Sequence, residues 1–169
     1  VTLPMAPLTY EARRNTLEDV KQAYARIRQS VILSPCVHSE SFSQFSGNKV
    51  FLKLENLQMT GSYKERGALN RILTLTAEER ERGLIAASAG NHAQAVSYHA
   101  TRRGIPAQIC MPLPTPLNKV MSTRRFGAEV VLHGANYDEA CDEARRRCHE
   151  QGLTFIHPFD DDAVIAGQG

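Results

Sequence analysis

The sequence predicts an α/β protein with an open, twisted parallel sheet and flanking helices. From residue 83 onward, short apolar runs alternate with helical stretches of roughly 10–15 residues. Gly104, Gly127 and Gly152 each follow a predicted helix, where a C-cap favours glycine. Strands that alternate with helices pair in parallel through right-handed crossovers. Residues 83–157 are therefore expected to form a βαβαβαβ unit.

The N-terminal half shows less regular alternation. Residues 1–15 are rich in proline and polar side chains and are expected to form an arm. Thr16 and Asp19 have a capping-type spacing in front of apolar residues at helical intervals, which predicts a helix. A short helix through Phe45 follows. The alternation of apolar and polar residues in 49–56 then predicts a strand.

A further helix is expected to begin within GSYKERGALN, residues 61–70. Ser62 and Glu65 have the spacing of a capping box, which would make Ser62 the N-cap. Lys64 would then occupy the second helical position, where the partial positive charge of the helix terminus disfavours an ammonium group. That position suits a lysine that is neutral or covalently bonded to another group. The ordinary alternative is a solvated lysine on a helix surface.

The regular half of the chain, from residue 83 onward, contains four predicted strands and three predicted helices. The strands are 83–88, 107–111, 128–133 and 153–157, and the helices are 91–103, 117–126 and 136–151. The last helix carries Arg145, Arg146 and Arg147 among acidic residues, which indicates a solvated face of mixed charge rather than a polyanion site. The final residues, Gly167 to Gly169, have the composition of a loop.

Composition narrows the class of protein. Of 169 residues, 42% are hydrophobic and 22% are charged, as in soluble globular proteins. A net charge of +2 does not indicate binding to nucleic acid or to an anionic membrane. The four cysteines lack the C-x-x-C spacing of a zinc site, and no signal peptide is recognised. We therefore expect free thiols, no metal site and a cytoplasmic location.

The stretch SAGNHAQA, residues 88–95, is the strongest candidate for a binding loop. It leaves the first strand of the parallel sheet and enters a helix, and ligands of such sheets bind beyond the carboxyl ends of the strands. Main-chain N–H groups at a helix start can seat a carboxylate or phosphate. The side-chain and main-chain donors would come from Ser88, Ala89, Gly90, Asn91 and His92. The ordinary alternative is a βα loop with a polar cap. Without G-x-G-x-x-G, no dinucleotide site is predicted.

The two stretches together resemble a known family. ENLQMTGSYKERGALN and SAGNHAQA, with GAEVVLHG and HPFDDDAVIAGQG, closely resemble the threonine dehydratases. These belong to fold type II, the β-family, of pyridoxal-phosphate enzymes, which also contains serine racemase. The resemblance runs from about residue 16 to the last residue. It corresponds to the N-terminal part of such an enzyme.

The resemblance implies a role for each residue of the two motifs. Lys64 would bind pyridoxal phosphate through an imine, with Tyr63 packed near the cofactor and Asn91 near its ring hydroxyl. The loop that holds the substrate carboxylate would comprise Ser88, Ala89, Gly90, Asn91 and His92. An imine at Lys64 would also remove the unfavourable ammonium group at the helix start.

The implied reaction is the deaminating dehydration of L-threonine to 2-oxobutanoate and ammonia, and of L-serine to pyruvate. It belongs to amino-acid metabolism, such as isoleucine biosynthesis. A serine racemase-like enzyme is the first alternative. Serine racemase has a serine at the position of Ala89, whose methyl group cannot exchange a proton, so dehydration is preferred. A noncatalytic, anion-binding α/β fragment is the second alternative.

The resemblance also implies a domain organisation. Residues 1–78 would form the N-terminal part of the large domain, residues 79–159 the small domain, and residues 160–169 the return into the large domain. The glycine-rich loop for the cofactor phosphate would lie beyond residue 169, so this chain alone is expected to be inactive. The expected partners are an amino-acid substrate and further copies of the full-length enzyme, with no nucleic acid and no membrane.

Overall fold

Two β-sheets and eight α-helices make up residues 15–169, the part of the chain that the computed structural model describes. The predicted arm falls almost entirely on residues 1–14, outside the described residues. The helices are α1 Leu17–Ile27, α2 Glu40–Ser46, α3 Lys64–Leu73, α4 Ala77–Arg82, α5 Asn91–Thr101, α6 Leu117–Arg125, α7 Tyr137–Gln151 and α8 Asp162–Gln168. The strands are β1 Cys36–His38, β2 Phe51–Lys53, β3 Leu84–Ala87, β4 Ala107–Met111, β5 Glu129–Leu132 and β6 Thr154–Phe155.

The larger sheet confirms the predicted βαβαβαβ unit. Its four strands lie in the order β5-β4-β3-β6, and every neighbouring pair is parallel. In the register, Ala87 pairs with Cys110 on one side of β3, and Ile85 pairs with Phe155 on the other. Because β3 and β6 are neighbours, the loops that leave their carboxyl ends lie next to each other. This edge of the sheet is where ligands of open α/β sheets bind.

Successive residues of β3 face opposite sides of the sheet, as the period of a strand requires. Leu84 and Ala86 belong to one apolar cluster, which includes Val96 of α5 and Val120 of α6. Their neighbours in β3 belong to a second cluster, with side chains of α7 such as Ala140. All four residues of β3 are buried. Burial on both faces explains why parallel strands are continuous apolar runs in the sequence.

Helix α8 replaces the loop that was expected at the end of the chain. Asp161 caps it by accepting a hydrogen bond from Val164 N at 2.9 Å. The expected loop at residues 167–169 is therefore wrong as far as Gln168. The helix packs against α3, and a Cβ on Gly167 would lie 2.9 Å from Gly67 Cα. Two glycines that face each other let the two helix backbones approach closely, an effect that a loop-like composition conceals.

The N-terminal half confirms one predicted cap and shortens one predicted strand. Thr16 and Asp19 form the capping box of α1. The strand predicted over 49–56 is reduced to β2, because Glu55–Leu57 turns into a 3-10 helix. β2 pairs antiparallel with β1, which was not predicted. Helix α4 was also missed, although its own capping-box residues are present in the sequence.

The arginine run of α7 forms the expected mixed-charge face. Arg146 contacts Glu143 at 2.8 Å and Glu150 at 2.5 Å, and Arg147 contacts Glu143 at 2.6 Å.

The four cysteines are free, as predicted. Among residues 15–169, no helix is long and apolar enough to cross a membrane.

The contact between α3 and α8 leads to a first prediction. A Cβ at Gly67 would lie 2.6 Å from Val164 O, so Gly67→Ala should force the helices apart. Overpacking of this kind costs about 1–3 kcal/mol. We expect a lower midpoint of urea unfolding for this variant. Lys21→Ala, at an exposed position of α1, is the control and should leave the midpoint unchanged. A wild-type midpoint for Gly67→Ala would contradict the close packing.

Candidate active site

Helix α3 begins one residue later than a Ser62 N-cap requires. Its first residue is Lys64, and Tyr63 occupies the N-cap with helical φ and ψ and no side-chain cap. Ser62 Oγ accepts a hydrogen bond from Lys64 N at 3.3 Å. The predicted capping box of Ser62 and Glu65 is therefore wrong. The physical reason is that Glu65 points into the core, where it accepts a hydrogen bond from Thr60 N.

The amine of Lys64 lies at the carboxyl end of β6. Its Nζ donates a hydrogen bond to Pro158 O at 2.7 Å, and the side chain is half-buried. Nζ also lies 5.4 Å from the centroid of the Tyr63 ring, which is 47% exposed. Lys64 is therefore not the solvated surface lysine of the ordinary alternative. A main-chain carbonyl holds its amine in a fixed place.

The loop of residues 88–92 leaves the carboxyl end of β3. Ser88 N donates to Cys110 O at 3.1 Å, which continues the pairing with β4. Ser88 Oγ accepts from Gly90 N at 3.2 Å, so this N–H is satisfied within the loop. Helix α5 then begins at Asn91, an exposed residue, and the first N–H groups of any helix have no partner within it. A Cβ at Gly90 would meet nothing within 4 Å, so the space beside the loop is open.

His92 is placed differently from what the sequence suggested. Its side chain is 3% exposed, and Nε2 lies 2.9 Å from Ile156 O. Burial lowers the pKa of His92 to about 4, against the effect of the Ile156 bond, so the ring is neutral at pH 7. Since a carbonyl only accepts, Nε2 carries the proton. The imidazole is thus turned into the core, and its expected role as a donor in the anion seat is reduced to its main-chain N–H.

The two sequence motifs converge on one short segment after β6. Lys64, from the start of α3, bonds Pro158 O, and His92, from the start of α5, bonds Ile156 O. The positive charge of Lys64 contributes to lowering the pKa of His92, as expected for neighbouring groups. The structure therefore brings together a primary amine and the N-terminus of α5, on the edge of the sheet where ligands bind.

A partly buried ion pair supports α3 and was not predicted. Arg66 donates to both carboxylate oxygens of Glu55, at 2.7 and 2.8 Å, and Ser34 Oγ donates to Glu55 at 2.6 Å. The hydrogen bonds from Arg66 lower the pKa of Glu55 to about 2. This fork ties the first turn of α3 to the 3-10 helix after β2, and Ser34 links the same carboxylate to the segment before β1. Both residues lie in the stretch that resembles the family, but their pairing was not predicted from the sequence.

The acidic run at residues 160–162 serves the start of α8. Asp161 is the N-cap, and its Oδ2 also accepts from Arg71 Nε at 3.1 Å. Among residues 15–169, no group of three histidine, cysteine or acidic side chains is placed to hold a metal ion. The run thus leads into the first turn of a helix.

The fold and the converging motifs define a class of protein. The profile of the family described as "Pyridoxal-phosphate dependent enzyme" matches residues 27–169. The chain belongs to this family of pyridoxal-phosphate dependent enzymes, and pyridoxal phosphate is the cofactor that its site must accommodate. The predicted α/β fold and the recognised family are confirmed.

Similar proteins narrow the class further. An L-threonine ammonia-lyase of Thermotoga maritima is 49% identical over 91% of this chain and 38% of its own length. A catabolic L-threonine dehydratase of Staphylococcus aureus is 46% identical over 91% of this chain and 45% of its own length. A serine racemase of Dictyostelium discoideum superposes with a TM-score of 0.84, at 34% identity, over 92% of this chain and 50% of that one. The chain thus spans half or less of the length of each of these proteins.

The residues present fit an aldehyde cofactor that carries anionic groups. Lys64 offers a primary amine held by one carbonyl, and the start of α5 offers main-chain N–H groups beside open space. An aldehyde condenses with an amine, and an anion binds at a helix N-terminus. The donor set therefore suits pyridoxal phosphate and its amino-acid substrates.

The buried imidazole of His92 generates a pH-dependent prediction. An unfolded histidine titrates near pH 6.5, whereas the pKa of His92 is about 4 in the fold. Its contribution to stability is complete above pH 6.5 and is lost as the pH falls toward 4, in total about 3 kcal/mol. The free energies of unfolding of the wild type and of His92→Gln, measured with urea, should therefore approach each other by about this amount between pH 7 and pH 4.

The control for this measurement is His149→Gln. His149 is an exposed residue of α7, so its replacement should leave the pH dependence of the unfolding free energy as in the wild type. If wild type and His92→Gln differed in their free energy of unfolding by the same amount at both pH values, the buried neutral ring would be contradicted.

Proposed function

We propose that the complete protein that contains this chain is a threonine ammonia-lyase. It would catalyse the deaminating dehydration of L-threonine to 2-oxobutanoate and ammonia, and of L-serine to pyruvate. The observation that carries the proposal is the placement of the Lys64 amine beside the loop that opens α5. The relatives named as threonine ammonia-lyase and threonine dehydratase, at 46–49% identity, support the choice of substrate.

Lys64 is the residue that we assign to both cofactor attachment and proton transfer. Its Nζ would hold the cofactor covalently at rest and, once released, would accept the α-proton of the substrate. The bound cofactor supplies an electron sink for the charge that develops at Cα. The hydrogen bond to Pro158 O orients Nζ at the end of β6. Tyr63, whose ring flanks the amine, would pack near the cofactor.

The loop of residues 88–92 is proposed to bind the substrate carboxylate. Main-chain N–H groups at the start of α5 face solvent with the positive end of the helix dipole behind them. The proposed set is Ser88, Ala89, Gly90, Asn91 and His92. Asn91 is exposed and would also approach the cofactor ring, whereas His92 would contribute through its main chain. The Gly90 N–H would have to exchange its bond to Ser88 Oγ for one to the ligand.

A serine racemase-like activity is the alternative, and similarity to the D. discoideum enzyme supports it. Racemisation needs a proton donor on the opposite side of Cα from Lys64. The position that the sequence analysis singled out is Ala89, whose methyl packs against the main apolar cluster. An alanine can neither give nor take a proton, and we therefore propose dehydration as the main reaction.

The wider assignments belong to the same proposal. The boundaries 1–78, 79–159 and 160–169 agree with a parallel sheet contained in residues 84–155 and with an α8 that returns to α3. Activity is proposed for the longer polypeptide rather than for these 169 residues alone.

The catabolic S. aureus relative adds threonine breakdown to isoleucine biosynthesis as a metabolic role. Four free thiols support a reducing, cytoplasmic setting, and the homo-oligomeric state rests on the resemblance alone.

The role of Lys64 is tested with Lys64→Ala in the complete protein. We expect this variant to lose keto-acid production from L-threonine and to lose the near-visible absorbance of the bound cofactor. In the wild type, borohydride should fix the cofactor to Lys64, as peptide mass spectrometry would show. Lys21→Ala should behave as the wild type. If Lys64→Ala converted L-threonine at the wild-type rate, the roles proposed for Lys64 would be wrong. Binding of phosphate or carboxylates without colour would instead favour the noncatalytic anion-binding alternative.

The role of Ala89 is tested with Ala89→Ser. A hydroxyl at this position supplies the exchangeable proton that the methyl lacks, so D-serine should form from L-serine while keto-acid production falls. Chiral chromatography measures the first product and a coupled assay measures the second. A wild type that already forms D-serine as fast as pyruvate would favour the racemase instead.

A further inference from the structure

Glu65 and His99 form a buried polar pair that the proposed reaction does not use. Glu65, on α3, is 0% exposed, and His99, on α5, is 1% exposed. Glu65 Oε2 lies 3.3 Å from His99 Nε2, and Glu65 Oε1 accepts the hydrogen bond from Thr60 N. Ionisable side chains are rarely buried to this degree unless they are paired. One carboxyl group therefore links α3, α5 and the loop in front of α3.

The pair connects the two helices that carry the candidate active site. Glu65 follows Lys64 directly, and His99 lies two turns after His92 on the same side of α5. The helices α3 and α5 pack against each other along this contact. The bonds to Ile156 O and Pro158 O fix the helix starts to the sheet, whereas the pair fixes the helices to each other.

An apolar pair would serve packing alone at least as well. Burial lowers the pKa of His99, and the adjacent Glu65 opposes this effect while Arg103 and Arg102 add to it. Replacement of buried polar pairs by apolar residues of similar volume is often neutral or stabilising, whereas removal of one partner is strongly destabilising. A buried polar pair favours one relative position of two helices, because separation would leave each partner buried alone.

We propose that Glu65 and His99 are a positioning pair, which sets the distance between the Lys64 amine and the loop of residues 88–92. The inference rests on the proposed function, because it concerns where that amine stands relative to the substrate site. Glu65 acts on Lys64 through the first turn of α3, and His99 acts on the loop through α5. Neither side chain touches the reacting atoms.

The test uses the complete protein and a readout that does not need the cofactor. In the apoprotein, reductive methylation of Lys64 is followed by mass spectrometry, with the exposed Lys21 as the internal standard. Glu65→Leu and His99→Leu should each raise the labelling rate of Lys64 several-fold, because a displaced α3 releases Nζ from Pro158 O. His99→Asn, a milder variant, should act in the same direction.

A double variant separates positioning from stability. Glu65→Leu with His99→Leu should regain part of the unfolding temperature that each single variant loses, because neither member of the pair is left buried without the other. The Thr60 N–H still loses its acceptor in this variant, so recovery should be incomplete. Its Lys64 labelling should nevertheless stay fast, and its kcat for L-threonine should stay about 10- to 100-fold low, as for a misplaced catalytic group. Glu65→Gln keeps an acceptor for Thr60 and a polar group toward His99, so it should retain most of the wild-type labelling rate and kcat.

Ser97→Ala is the matched control. Ser97 is buried on α5 like His99, but its Oγ donates to Ala93 O within its own helix at 2.6 Å. Lys64 labelling in this variant should equal that of the wild type. If the double leucine variant had the wild-type Lys64 labelling rate and kcat, the pair would contribute only packing and the inference would be wrong. It would also be wrong if every folded variant had the wild-type Lys64 labelling rate. Full activity of Lys64→Ala would overturn the proposed function and leave the labelling result intact.

Discussion

The arrangement of the site depends on two main-chain carbonyls that follow β6. Ile156 O and Pro158 O lie beyond the last strand, and side chains from two helices donate hydrogen bonds to them. A buried carbonyl without a donor is costly, so these bonds stabilise the fold and fix the helix starts at once. The sheet order makes this possible, since it places β6 beside β3, whose loop opens α5.

The same hydrogen bonds explain why some polar residues of the two motifs are buried and others are exposed. His92 is committed to the core by its bond to Ile156 O, and burial keeps it neutral. A neutral ring adds no positive charge next to the Lys64 amine, whereas a protonated ring would repel it. Asn91, one residue earlier, remains exposed at the helix start. Of these two adjacent residues, one thus holds the fold together and the other faces the open space beside the loop.

The regular half of the fold could be predicted from the sequence because its signals are local. The apolar runs of β3 and β4 and the glycines after the helices are readable one element at a time. The start of α3 could not be predicted in this way. A capping box at Ser62 is the local solution, but Glu65 gains a buried site against His99, 34 residues away, and that contact prevails. Local spacing carries no information about a partner on another helix.

The error at the start of α3 therefore arises from tertiary contacts rather than from weak periodicity. The contacts of Glu55, His99 and Pro158 O were not predicted from the sequence, yet each bonds or faces a residue of the stretch from Lys64 to Arg66. Three consecutive residues send their side chains to three separate segments of the chain. Such a turn is rigid, because a rotation that relieves one contact breaks the other two. The lysine that we propose to bind the cofactor is supported in one place by these contacts.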